Sequence, residues 1–199
     1  DTPGAPYDNG ANGGGNYCTL NPLDNDSCTA SNGNLEATAP DSPYIGMAGT
    51  MGVSSGKYYW EVTVLLSGSG SVYPTIGIYQ ADDQVTAQPG GKAGDYGYTS
   101  LTAPWAGGYL YNASMSNGYV SYGTNYDSGS DVVGVLLDLD TGNGSLSFTI
   151  NGVSQGVAVG TGGVSTDTLK GIAWKPGFRA RGTIMEVNFG ARSFKYAPP

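Results

Sequence analysis

Between residues 57 and 64 the chain alternates. Tyr58, Trp60, Val62 and Val64 fall on one side of an extended backbone, and Lys57, Tyr59, Glu61 and Thr63 on the other. A period of two predicts a half-buried strand through "KYYWEVTVLL". Strands are also predicted through "YPTIGIYQ" (73–80), "SLSFTI" (145–150) and "VSQGVAV" (153–159), and near the end through "GIAWKPGF" and "IMEVNFG". In "SLSFTI" Leu146, Phe148 and Ile150 share a face; in "IMEVNFG" Met185, Val187 and Phe189 do. "DVVGVLLDLD" (131–140) is almost continuously apolar, the pattern of a central strand covered on both faces. Asn32-Gly33 marks a tight turn, and Asn151-Gly152 supplies the positive-φ pair of a two-residue hairpin. Trp60 and Trp174 lie inside apolar strand patterns and are read as core. No amphipathic helix longer than a turn or two is present, and no internal repeat. Many short strands separated by turns predict an all-β sandwich or jelly roll.

Two stretches break the pattern. Residues 1–16, "DTPGAPYDNGANGGGN", have the composition of a flexible arm or linker, or of a segment that wraps onto a neighbouring subunit. Residues 81–130 are glycine-rich and hold Tyr96, Tyr98, Trp105, Tyr109, Tyr111, Tyr119, Tyr122 and Tyr126.

Composition narrows the functions. The 199 residues suit one domain, and 34 glycines with 12% charged residues suit a turn-rich β protein. Eight basic residues against sixteen acidic ones give a net charge of −8, which argues against nucleic acid and against an anionic membrane surface. The longest apolar run, Val132–Leu137, falls far short of the roughly 20 residues of a membrane helix, so no membrane insertion is expected. The chain opens with Asp1 rather than Met, so it is read as processed, a fragment or part of a larger protein. Cys18 and Cys28 offer either a local disulfide, which needs an oxidising setting, or two thiols.

The chain contains no histidine. That removes Ser–His triads, the usual base of a cysteine nucleophile, and zinc sites of Cys and His. Its three glutamates, Glu36, Glu61 and Glu186, form no Glu-x-Asp-x-Glu pattern of a jelly-roll glycosidase, and Asp138 and Asp140, two apart, share one strand face. Neither "GSGSVYP" nor "PGGKAGDYG" opens a helix, so neither cradles a phosphate. Asp82-Asp83 and "DLDTGN" offer calcium-type oxygen ligands, but such runs are ordinary turn chemistry. Asn-x-Ser sequons at Asn25, Asn112 and Asn143 matter only in a eukaryotic secretory pathway. No catalysis, metal or cofactor is expected.

The order "SGKYYWEVTV", "PTIGIYQ", "YGYTS", "GYLYN", "DVVGVLLDLDTGNGSLSFTINGVSQGVAV", "GIAWKPGF" and "VNFG" resembles the SPRY (B30.2-like) domain. The resemblance spans residues 45–190, preceded by an arm with leading strands (1–44) and followed by a tail (191–199). It implies a bent sandwich of two antiparallel sheets, similar to the concanavalin A-like jelly roll, and a non-enzymatic binding module whose edge loops contact a partner. It also implies that Tyr98 and Tyr111 pack the fold. The flanks, "NYCTLNPLD…ASNGNLEAT" and "NFGARSFKYAPP", resemble SPRY-containing virion proteins of tailed phages, especially marine ones. That second resemblance implies an extracellular virion appendage, a tail fibre or capsid decoration.

Loops on a rigid sandwich are the default place for recognition. Trp105, in "TAPWAGG", lacks the alternation of a core residue and presents a stacking face; Tyr96, Tyr109, Tyr119, Tyr122 and Tyr126 extend the candidate platform. The expected partner is a host-surface glycan or protein, bound by a homo-oligomer that gains strength by multivalency. The alternative is a purely structural virion protein that holds other virion subunits, with residues 1–44 and "KYAPP" as clasps.

Overall fold

A computed structural model describes residues 17–41, 44–66, 74–101, 107–115, 117–126 and 129–198. Their strands are β1 (Leu20–Asn25), β2 (Thr29–Ser31), β3 (Glu36–Ala39), β4 (Ile45–Gly49), β5 (Lys57–Leu66), β6 (Thr75–Gln80), β7 (Tyr96–Leu101), β8 (Gly107–Tyr111), β9 (Tyr119–Ser121), β10 (Asp131–Asp138), β11 (Ser145–Ile150), β12 (Val153–Val159), β13 (Trp174–Ala180) and β14 (Thr183–Asn188). There is no helix among the described residues. The strands form two seven-stranded antiparallel sheets. The first runs β1-β4-β13-β6-β7-β8-β9 and the second β12-β11-β10-β5-β14-β3-β2. The all-β sandwich expected from the period-two pattern is therefore the fold. The glycine-rich stretch 81–130 contributes β7, β8 and β9 to it.

The core lies between the sheets. From the second come Trp60, Val62 and Val64 of β5, Val133, Val135 and Leu137 of β10, Leu146 and Phe148 of β11, and Met185 and Val187 of β14. From the first come Ile45, Met47, Ile76, Ile78, Tyr98, Leu110, Trp174 and Phe178. Tyr58 continues the inward side of β5 to its open end, where it is 41% exposed. β10 sits between β5 and β11 with its backbone paired on both sides, and its run is apolar because Val132 and Gly134 on its outward side are buried as well as the inward Val133, Val135 and Leu137.

Both sheets are also covered on parts of their outer faces. On β5 the outward Glu61 is only 3% exposed, because the C-terminal segment folds back over it. Its carboxylate accepts the backbone N–H groups of Lys195 and Tyr196, at 2.8 Å each, and the Tyr59 hydroxyl at 3.2 Å. Phe194 meets the Tyr59 ring edge-on, with centroids 4.7 Å apart. Asn188 reaches the carbonyls of Arg192 and Ser193.

On the first sheet, residues 81–95 lie across the outer side of β13, β6 and β7. Tyr79 forms a small apolar cluster there with Ala48 and Val85, and its hydroxyl donates to the Ala87 carbonyl at 3.0 Å. Gly177, Gly77 and Gly97 stand in register across the three strands. A side chain at Gly177 would collide with the Tyr79 ring, and one at Gly97 with the Pro89 carbonyl. The outward cations of β13 hold the loop down. The Lys175 ammonium binds the Ala81 and Asp83 carbonyls and Asp24 of β1, and Arg179 binds the Gln88 side chain.

Candidate binding surface

The first sheet ends in β8 and β9, where residues alternate in their facing. Leu110 belongs to the core and Val120 packs against it. Tyr109, Tyr111 and Tyr119 therefore share the outer side and are partly exposed. Tyr111 and Tyr119 are register partners across β8 and β9. Tyr109 and Tyr119 meet at nearly a right angle, centroids 5.5 Å apart and planes at 83°. Their edge-to-face contact sets two partly exposed rings at right angles on the outer side of the strand pair. Residues 81–95 support this surface from the side: the backbone of Gly90 abuts that of Tyr111, and Ala113 donates to the Gly90 carbonyl at 2.7 Å. Leu101 and Gly107, which bound residues 102–106, are register partners at the neighbouring strand ends. Trp105 itself lies outside the described residues.

Of the expected platform, the structure brings together Tyr109 and Tyr119. The other three tyrosines are core residues, a correction with a common cause. Each buried ring has a hydroxyl that reaches an acceptor far away in sequence. Tyr96 donates to Asp167 at 2.7 Å, Tyr122 to the Gly156 carbonyl at 2.7 Å, and Tyr126 to the carbonyls of Tyr98 at 2.6 Å and Pro74 at 3.0 Å. Burial pushes all three hydroxyls well above their ordinary pKa. Tyr98 touches the rings of Tyr122, Tyr126 and Phe148 and so centres the cluster. A flanking Gly or Asn in sequence does not reveal that a buried hydroxyl has found a carbonyl. Tyr111 is half-buried rather than fully packed, and belongs with the outer pair.

Cys18 and Cys28 are both free thiols, so the disulfide alternative is set aside. Cys28 is buried, and that burial, followed by the charge of Asp26, pushes its thiol up to about 12. The carboxylates weighed for chemistry have structural partners. Glu36 accepts from Ser31 and Asn32, Glu186 pairs with Arg192 at 2.6 Å, and Glu61 anchors the C-terminal segment. Asp138 accepts the N–H groups of Asp140 and Thr141 and pairs with Lys57 at 2.9 Å; Asp140 caps the Gly56 N–H at 2.7 Å. Asp83 lies 3.7 Å from Lys92, and Asp82 is exposed. Among the described residues no group of three carboxylate or thiol side chains could hold a metal. No helix among them is long and apolar enough to cross a membrane.

The SPRY domain family model matches residues 57–165, more than half of the chain. No curated protein matches it. Among solved structures, the SPRY domain of human HERC1 is 16% identical with a TM-score of 0.60, covering 87% of this chain and 99% of that one. A human SPRY domain is 16% identical with a TM-score of 0.62, covering 85% and 99%. The TRIM65 PSpry domain is 15% identical with a TM-score of 0.59, covering 87% and 90%. At these identities the likeness is one of fold.

Proposed function

Because the chain belongs to the SPRY family, whose domains are generally non-catalytic interaction modules, we propose that it is a recognition module that engages a macromolecular partner through the outer tyrosine face of β8 and β9. The observation that carries this reading is the edge-to-face pair of Tyr109 and Tyr119, with Tyr111 beside it, partly exposed on the outer side of β8 and β9. Tyrosines give large amphipathic contact area at low entropic cost, and their hydroxyls fix orientation. Trp105, a stacking candidate from the sequence, is tested beside them by substitution. The resemblance of residues 16–38 and 188–199 to phage virion proteins supports a virion setting. There the partner is a host-surface protein or glycan, and repeated copies supply avidity.

The test is binding of the purified full-length chain to host cells and to a glycan array, beside Trp105→Ala and a Tyr109→Ala/Tyr119→Ala double variant. Saturable binding that weakens at least tenfold in the double variant supports the face, since truncating one buried interface aromatic costs on the order of 1 kcal/mol or more. Binding unchanged in both variants moves the contact elsewhere. A folded protein that binds nothing leaves the purely structural role, in which the partners are other virion subunits.

A further inference from the structure

The segment that supports the tyrosine face closes on one side chain. Asp95 precedes β7 at the end of the 81–95 loop and is 0% exposed. Its Oδ1 accepts the backbone N–H of Gln80, the last residue before the loop, at 2.9 Å. The carboxylate thus ties the two ends of the loop together. Its Oδ2 is buried and has no hydrogen-bond partner among the described residues.

The ionisable groups around Asp95 come from three strands and the loop itself. β6 supplies Tyr79, the loop supplies Asp83 and Lys92, β7 supplies Tyr96, and β13 supplies Lys175, whose own partner is Asp24 of β1, with Arg179 beyond it against Tyr79. The tyrosines stay neutral. The two nearby ammoniums are already matched: Lys175 pairs with Asp24 at 2.7 Å and Lys92 faces Asp83 at 3.7 Å. Arg179 is bound to Gln88. An ionised Asp95 therefore has no ion-pair partner of its own among the described residues: none of these cations lies within salt-bridge distance of it, and its Oδ2 is left without a donor. A buried charge without a partner is costly, and loosening the structure around it lets water in.

We propose that Asp95 is a proton-operated latch: protonated, it holds the 81–95 loop down on the first sheet, and ionised, it releases the loop. The loop backbone meets β8 directly, through Gly90 against Tyr111 and the Ala113–Gly90 hydrogen bond. Release therefore removes the side support of Tyr109, Tyr111 and Tyr119, and mild acid favours the ordered face. Burial, the leading cause, pushes the carboxyl of Asp95 up to about 6 from its ordinary 3.8. The folded chain thus holds this proton more tightly than the unfolded chain. The stability it contributes is full below about pH 4 and lost as the pH rises through 6.

The test is hydrogen exchange on the full-length chain at pH 5.0 and 7.5, corrected for intrinsic rates. The amides of Gln80, Val85, Gly91, Asp95 and Ala113 are expected to exchange on the order of tenfold faster at the higher pH, a ratio equivalent to one pKa unit of differential stability. In Asp95→Asn, a neutral isostere, the step should vanish. Equal protection at both pH values in the wild type, or a step that survives in Asp95→Asn, overturns the latch. If Asp95→Asn does not fold, carbon NMR of the wild-type carboxyl decides: an Asp95 titration near pH 6 supports the latch, and one near pH 4 overturns it. The control of binding rests on the tyrosine face being the contact surface. An exchange step accompanied by pH-independent partner binding would count against that face, whereas the absence of a step counts against the latch.

Discussion

The two sheets turn their outer faces away from the core and meet solvent in different ways. On the second sheet the C-terminal segment closes the face over β5, hanging on one carboxylate, Glu61. On the first sheet residues 81–95 close the face over β13, β6 and β7, and stop at β8, where the tyrosines begin. The covered areas use residue types suited to being covered: a charged acceptor for free backbone N–H groups in one, in-register glycines and outward cations in the other. The uncovered area carries rings that are stable half in water. Backbone laid over a sheet must have its polar groups satisfied, and a side chain offered to a partner must not be satisfied at home. That contrast is why we propose the contact surface on β8 and β9 and not on the covered faces.

The contrast breaks most readily at Glu61. In Glu61→Ala the N–H groups of Lys195 and Tyr196 and the Tyr59 hydroxyl lose their acceptor together. The expected cost is about 3 kcal/mol, from several bonds to one buried charge. Urea unfolding measures it, and hydrogen exchange should show residues 190–196 losing protection. Glu61→Gln keeps an acceptor and should lose less than half as much. A loss under about 1 kcal/mol in Glu61→Ala would mean that Phe194 on Tyr59, not the carboxylate, fastens the segment.

A smaller effect is expected at Gly177. The Cβ of Gly177→Ala must displace the Tyr79 ring, which carries the Ala87 hydrogen bond and the cluster with Ala48 and Val85. Overpacking of this kind costs about 1–3 kcal/mol. The melting temperature should fall and exchange should rise at Val85 and Gly91, with residues 190–196 unaffected. Equal deprotection of both covers would show that they unfold as one unit, and would erase the distinction between the two faces.

These two sites also mark how far the sequence could be read. The period-two runs placed β5, β11 and β12, and Asn151-Gly152 placed the hairpin between the last two, because strand facing is set locally. The same alternation put Glu61 outward, which is right, yet its burial depends on a segment about 130 residues later that no local pattern announces. Tyr96, Tyr122 and Tyr126 read as platform residues for the same reason: their flanks read as loop, while their hydroxyl partners, Asp167, Gly156 and Pro74, are distant in the chain. A glycine inside a strand pattern carries no local sign of what approaches it, and Gly77, Gly97 and Gly177 are far apart in the chain. Only the sheet order, which sets β6 between β13 and β7, shows them as one row beneath the 81–95 loop. Of the candidate site, Tyr109 and Tyr119 were legible as aromatics in a strand-poor stretch, whereas their meeting across β8 and β9 required the pairing itself.

The smallest effect on stability is expected where the largest effect on binding is proposed. Tyr109 and Tyr119 are partly exposed, so Tyr109→Ala/Tyr119→Ala forfeits little burial beyond one edge-to-face contact and should cost about 1 kcal/mol. Tyr126→Ala, on a 0% exposed ring whose hydroxyl ties two carbonyls, should cost about 3–5 kcal/mol. Measured side by side in urea, the two variants separate tyrosines that build the sandwich from tyrosines that it displays. Similar losses would place the outer pair in the structural set. A wide gap would leave Tyr109 and Tyr119 as residues whose retention folding alone does not require.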